Sequence, residues 1–166
     1  MNTAANLVRV AAITVSDSRT AATDEGGARL RERLEAHGFV VSFAALVRDE
    51  PNEMVACVQR ICSEDLADAV VFTGGTGIAP RDQTYEALAP LIEKHLDGFG
   101  EAFRRLSWDE IGPKAILSRA LAGTHQGRLI VALPGSPKAV VLGVDRVLAP
   151  VLTHAVGLLR TSKGHH

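Results

Sequence analysis

The apolar run Ala69-Val70-Val71-Phe72-Thr73 leads without a break into Gly74-Gly75-Thr76-Gly77-Ile78-Ala79-Pro80-Arg81-Asp82, and this junction limits the folds open to the chain. Consecutive apolar residues of strand length suit a strand buried on both faces. Three glycines in four positions then leave backbone N–H groups uncovered by side chains, and oriented amides of that kind form concave anion sites. Thr73, Thr76 and Arg81 add donors, while Asp82 is left to hold a cation or a proton. The loop is neither a Walker A motif, since no Gly-Lys-Ser/Thr follows Gly77, nor a dinucleotide fingerprint, since Pro80 stands where its third glycine belongs. A tight turn that binds nothing is the alternative.

Around this junction, strand-length apolar runs alternate with amphipathic helices, the pattern of an α/β three-layer sandwich with a mostly parallel central sheet flanked by helices. Strands are expected at 8–15, 39–47, 69–73 and 128–133. A helix over 24–37 turns Leu30 and Leu34 inward and stops at Gly38. Pro51 opens a second helix with Met54, Val55, Val58, Ile61 and Cys62 as its core stripe, and Thr84 is a candidate cap for a third. Residues 96–112 read as polar, with a short helix near 100–107. A long apolar C-terminal helix, interrupted by Pro150, either lies deep in the core or meets another subunit.

With 166 residues, 46% of them hydrophobic, and a net charge of −1, the chain reads as one globular domain over 1–166, ending in a tail at about 161–166 that carries His165-His166. Eighteen Lys and Arg against nineteen Asp and Glu give no basic excess for a nucleic-acid partner. No run of 18 consecutive apolar residues and no basic-then-apolar N-terminal segment is present, so no membrane partner and a cytoplasmic location are expected. Cys57 and Cys62 read as a reduced, buried pair. His37, His95 and His125 read as incidental surface residues, and no Ser-His pair suggests acyl chemistry.

In an open parallel sheet, ligands bind outside the carboxyl ends of the strands. Here those ends read Ser16-Asp17-Ser18, Arg48-Asp49-Glu50, the 73–82 loop, and Pro134-Gly135-Ser136-Pro137-Lys138. All four carry hydroxyls, carboxylates or bare amides. Amides, hydroxyls and Arg81 suit phosphate oxygens; Asp49 and Asp82 suit Mg2+, which takes one or two protein carboxylates and completes its shell with phosphates and water. Such a set serves phosphoryl or nucleotidyl transfer, in which positioning and electrostatics supply most of the catalysis. For Asp17, Asp49 and Asp82 the competing role is a helix N-cap or a loop salt bridge.

In order, Thr14-Val15-Ser16-Asp17-Ser18, Asp49-Glu50, Thr73 to Asp82, Leu117-Ser118-Arg119 and Leu133 to Lys138 resemble the molybdenum-cofactor biosynthesis family that includes MoaB, MogA and the N-terminal domain of gephyrin. The segments Gly98 to Arg104 and Leu106 to Gly112 are most similar to the MoaB branch. The resemblance covers nearly the whole chain and implies a molybdopterin-binding fold assembled as a homotrimer or homohexamer. The implied reaction is adenylylation of the terminal phosphate of molybdopterin by Mg-ATP, with a downstream molybdenum-insertion protein as partner. By the same resemblance Asp49 and Asp82 are the catalytic, metal-linked carboxylates. Thr73, Gly74, Gly75, Thr76 and Gly77 cradle nucleotide phosphates, and Ser16, Asp17, Arg81, Pro134, Gly135, Ser136 and Lys138 line the shared pocket. Two positions depart from the family pattern: Tyr85 stands where many members have proline, and Asp24-Glu25-Gly26-Gly27 replaces a more usual Asp-x-Ser-Gly. A non-catalytic molybdopterin carrier and a pterin-independent nucleotide hydrolase are the alternative functions.

Overall fold

Side chains alternate across the central strands, and here both faces of that alternation are apolar, so the sheet has to be covered twice. In the computed structural model, which describes residues 7–161, this gives two separate cores. Val10 and Ala12 of β1 (Arg9–Val15) and Val71 of β3 (Ala69–Thr73) pack beneath Leu30 and Leu34 of α1 (Glu25–Ala36), Phe103 of α4 (Asp97–Ile111) and the C-terminal helix. On the opposite face Ala11, Ile13, Val70 and Phe72 meet Met54, Val58 and Ile61 of α2 (Pro51–Ser63) and Leu88 of α3 (Thr84–Leu88).

The sheet runs β2-β1-β3-β6-β5-β4, with β2 at Val40–Val47, β4 at Lys94–His95, β5 at Leu121–His125 and β6 at Arg128–Leu133. β2, β1, β3 and β6 are parallel. β5 is antiparallel to both of its neighbours. Because β2 lies on one side of β1 and β3 on the other, the order reverses between β1 and β3. A doubly wound sheet opens its ligand crevice at such a reversal.

The structure differs from the sequence reading in several places. Strands β4 and β5 are additional; β5 turns into β6 through Gln126 and Gly127, both at positive φ (47° and 73°), the geometry of a two-residue hairpin turn. α4 is a full 15 residues rather than a short helix, with Phe99, Phe103 and Ser107 buried one turn apart. His125 consequently sits in a strand, where its Nδ1 lies 2.8 Å from the Leu91 carbonyl. Thr84 is the first residue of α3 rather than its cap.

The C-terminal helix does not break at Pro150. α5 (Pro137–Leu142) runs through a widened π turn at Gly143–Leu148 into α6 (Ala149–Thr161). Proline lacks the N–H of a regular helix and its ring collides with the carbonyl four residues back; the π turn upstream relieves both constraints. Pro137–Thr161 is long and apolar enough to cross a membrane by length and composition alone, but it buries Val140, Val144, Leu148, Leu152 and Val156 in the core. No disulfide joins Cys57 to Cys62; both are half-buried on α2, and burial pushes the Cys57 thiol up to about 11. Beyond Thr161, the expected tail and His165-His166 lie outside the described residues.

Candidate functional site

At the carboxyl end of β3 the backbone reverses through Gly74 and Gly75, at φ of 104° and 69°. These are left-handed conformations that glycine adopts without the Cβ penalty, and neither position has space for a side chain. A Cβ on Gly74 would fall 2.4 Å from the Val15 carbonyl oxygen, and one on Gly75 would fall 2.2 Å from Thr84 Oγ1 and 2.9 Å from Asp49 Oδ2.

The carbonyl groups of Gly74, Gly75, Thr76 and Gly77 are all engaged. Thr84 donates through Oγ1 to Gly74 O (2.7 Å) and through its N–H to Gly75 O (3.1 Å). Arg119 donates its N–H to Thr76 O (2.9 Å) and its guanidinium to Gly77 O (2.7 and 3.0 Å). By contrast, the N–H groups of Gly75, Thr76 and Gly77 have no partner among the described residues. With its oxygens tied away and three successive N–H groups left over, the loop forms a nest for an anion. Two expected contributors are closed off: Gly74 N–H donates to Leu133 O (2.9 Å) and Thr73 Oγ1 to Pro134 O (3.0 Å). These two bonds clamp β3 to the β6 turn and engage the Gly74 N–H and the Thr73 O–H as donors within the fold.

Carboxylates border the nest. Asp49 is half-buried behind Gly75, its Oδ1 accepting the Gln83 N–H at 2.9 Å. Asp82 stands beside Gly77, where a Cβ would fall 2.7 Å from its Oδ2. Asp17 joins the group by accepting the Asp49 N–H at 2.9 Å. Burial raises the Asp49 carboxyl above its ordinary pKa; the Gln83 N–H opposes this, and the negative charges of Asp82 and Asp17 add to it against the weaker pull of Arg81. The set therefore holds more negative charge than it compensates, which is the electrostatic demand for a cation. Among the described residues no three His, Cys, Asp or Glu side chains group to hold a metal by themselves. A pair of carboxylates suits Mg2+, which keeps several water or phosphate ligands.

A cavity of about 360 Å3 opens in front of the nest, bounded by Gly75, Thr76, Gly77 and Asp82, by Pro134, Gly135 and Ser136, and by Phe103, Ser107 and Lys114 from the α4 side. It adjoins a larger cavity of about 1030 Å3 that shares Ser107 and Ser136 and includes Lys138. Of the other expected residues, Ser16 accepts the Ser18 and Arg19 amides of its own loop (3.3 and 3.0 Å), and Ser136 caps α5 by accepting the Ala139 N–H (3.2 Å). Arg81 is exposed, close enough to Asp49 for its charge to oppose the rise of that carboxyl, and closes no ion pair among the described residues. Sequence reasoning gave no role to Lys114, to Ser118, whose buried Oγ lacks a partner, or to Arg119. Ser118 and Arg119 precede β5, so an unread strand concealed their position. Asp24, which keeps the aspartate of the segment in which Gly26 replaces the more usual serine, is a buried cap of α1 that accepts from Gly27 N–H (2.9 Å) and Thr14 Oγ1 (2.6 Å).

A family model described as the probable molybdopterin binding domain matches residues 11–154. The chain belongs to this family. It is 44% identical over 152 residues to molybdenum cofactor biosynthesis protein B of Staphylococcus aureus (strain Mu50), covering 90% of each chain. To the Bacillus subtilis (strain 168) protein of the same name it is 44% identical over 161 residues, covering 96% of this chain and 95% of that one. A crystal structure of molybdenum cofactor biosynthesis protein B superposes with a TM-score of 0.90 at 38% identity, covering 93% of this chain and 97% of the other. The expected family and its α/β molybdopterin-binding fold are both borne out, and the chain is a molybdenum-cofactor biosynthesis protein of the MoaB/MogA group.

Proposed function

We propose that this member of the molybdopterin-binding family is a molybdopterin adenylyltransferase. An oxygen of the terminal phosphate of molybdopterin attacks the α-phosphorus of ATP; the bond from that phosphorus to the bridging oxygen breaks, and pyrophosphate leaves with the electron pair. The observation that carries this reading is the pairing of three unpartnered amides, at Gly75, Thr76 and Gly77, with the carboxylates of Asp49 and Asp82 behind and beside them. The amides orient and stabilise phosphate oxygens, and the exposed Arg81 offers charge-assisted hydrogen bonds. The substrate phosphate and the nucleotide are thereby held in line, so positioning supplies much of the rate. Asp49 and Asp82 would hold Mg2+, which neutralises charge on the polyphosphate.

The same reading includes a homo-oligomer. Val151 and Leu158 of α6 and, on another face, Trp108, Ile111 and Ile116 are exposed apolar side chains available to further copies of the chain. A molybdenum-insertion protein would take up the adenylylated product.

The test is pyrophosphate release from purified protein supplied with molybdopterin, ATP and Mg2+, with Asp82→Asn abolishing release while pterin binding persists. Pterin binding without turnover by the wild type would establish a carrier instead, and ATP turnover without pterin a hydrolase.

A further inference from the structure

The loop's carbonyl oxygens are held from behind: Thr84 takes those of Gly74 and Gly75, and one residue outside the glycine motif, Arg119, takes those of Thr76 and Gly77. Arg119 takes Thr76 O with its backbone, Gly77 O with Nε and Nη2, and Asp82 O with Nη2 at 3.2 Å. Its guanidinium is fixed in turn by Glu86, which accepts from Nη1 and, at 3.2 Å, from Nη2. Tyr85 places its ring 5.3 Å from the guanidinium carbon, within the range of a cation–π contact. Tyr85 is thus the departure from the family's proline put to use, as a stacking partner for the arginine.

We infer that Arg119, locked by Glu86 and Tyr85, is a positioning residue that fixes the Gly77–Ile78 and Asp82–Gln83 peptides with its guanidinium and the Thr76–Gly77 peptide with its backbone N–H, and so sets the path of the loop and the placement of Asp82. A planar fork that donates to two carbonyls five residues apart fixes both ends of the 77–82 segment, whereas lysine, a point charge on a flexible stem, cannot span them. The clamp bonds the carbonyl side of the loop and contacts neither its unpartnered N–H groups nor the carboxylate of Asp82. It acts through backbone alone, and its activity readout rests on the adenylyl-transfer reading.

The experiment compares wild type, Arg119→Lys, Glu86→Gln and Tyr85→Ala by amide hydrogen exchange, thermal melting, steady-state kinetics and Mg2+ titration of the rate. Arg119→Lys is expected to speed exchange of the hydrogen-bonded Ala79, Asp82 and Gln83 amides within residues 76–83 while leaving β1, β3 and β6 protected. It should lower kcat about 100-fold, the scale of a misplacement near 1 Å, and raise the half-saturating Mg2+ concentration, with KM for ATP changing less than kcat. Glu86→Gln keeps the carbonyl contacts of Arg119 but loses its charged anchor, so it should move each quantity in the same direction by less. Combined with Arg119→Lys it should add little, because both disable one device. Tyr85→Ala should resemble Glu86→Gln.

A role in general stability alone predicts a lower melting temperature with kcat, Mg2+ dependence and loop exchange unchanged, and that result overturns the inference. If Arg119→Lys does not fold, the exposed positions Glu86 and Tyr85 carry the same comparison. If the wild type releases no pyrophosphate, the proposed function fails. The loop-exchange arm still decides the clamp: unchanged exchange across 76–83 in Arg119→Lys and Glu86→Gln refutes it.

Discussion

Replacing Gly75 by alanine should cost far more than the same change at Gly38, although both glycines lie at positive φ (69° and 85°). An L residue in the left-handed region costs about 1–2 kcal/mol from backbone sterics, and this contribution is common to the two. The surroundings differ. Nothing lies within 4 Å of a Cβ built on Gly38, whereas at Gly75 it would meet Thr84 Oγ1 at 2.2 Å and the Asp49 carboxylate at 2.9 and 3.2 Å. Neither neighbour can yield cheaply: Thr84 is fully buried and bonded to Gly74 O, and Asp49 is pinned by the Gln83 N–H. Forcing an atom into such packing costs about 1–3 kcal/mol more. With a urea m-value of about 2 kcal/mol/M, Gly75→Ala should unfold about 0.5–1.5 M earlier than Gly38→Ala. Adding Thr84→Ala to Gly75→Ala should recover part of the difference despite its own lost hydrogen bond, appearing as a coupling in a double-mutant cycle. Equal midpoints for the two glycine variants would refute the packing argument and, with it, the close approach of Asp49 to the loop.

Asp49→Asn should separate stability from activity. Burial, reinforced by Asp82 and Asp17, raises the folded pKa of this carboxyl. A group raised on folding contributes stability that is fully present below its unfolded pKa and lost as pH rises through the folded value. The melting temperature of Asp49→Asn minus that of wild type should therefore grow as pH rises from the usual carboxylate value of about 4 through the raised folded value, while pyrophosphate release disappears; a difference that shrinks with pH contradicts the assigned environment. At the α1 cap, Asp24→Ala removes the acceptor of Gly27 N–H and orphans the buried Thr14 hydroxyl. Losing a cap costs about 1 kcal/mol and an unsatisfied buried group about 1–3 kcal/mol. Denaturant unfolding should show a loss of about 2–4 kcal/mol, with Asp24→Asn, which still caps, losing less.

What could be read in advance was whatever local periodicity encodes. The parallel strands β1, β2, β3 and β6 are dense in β-branched and aliphatic residues, and α1 and α2 have clean inward stripes, so the layered sheet followed directly. β5 was missed because Leu121-Ala122-Gly123-Thr124-His125 is poor in β-formers and has glycine at its centre. That glycine is required by a contact no local pattern reveals, since a Cβ there would fall 2.2 Å from Ile92 Cγ2. The turn Gln126-Gly127 was the one available signal for the hairpin. α4 was cut short for a similar reason: Gly98 and Gly100 weaken its first turn, yet Gly100 brings the helix within 2.7 Å, at a built Cβ, of the Ala120 carbonyl.

The site divides along the same line. Residue types disclosed that amides, hydroxyls and carboxylates gather at the strand ends, because that follows from strand order and the motif itself. They could not disclose which of those groups the fold already engages. Thr73, Gly74, Ser16 and Ser136 have the same chemistry as their neighbours, but Thr73 and Gly74 are bonded to the turn after β6, Ser16 to its own loop and Ser136 to the first turn of α5. Gly75, Thr76 and Gly77 keep unpartnered amides among the described residues, while Thr84 and Arg119, reached from elsewhere in the chain, take the carbonyls of the same loop. An anion site of this kind is defined by hydrogen bonds made behind it. The shape of this loop depends as much on Arg119, Glu86 and Thr84 as on its glycines, and substitutions at those three positions should disturb it from behind.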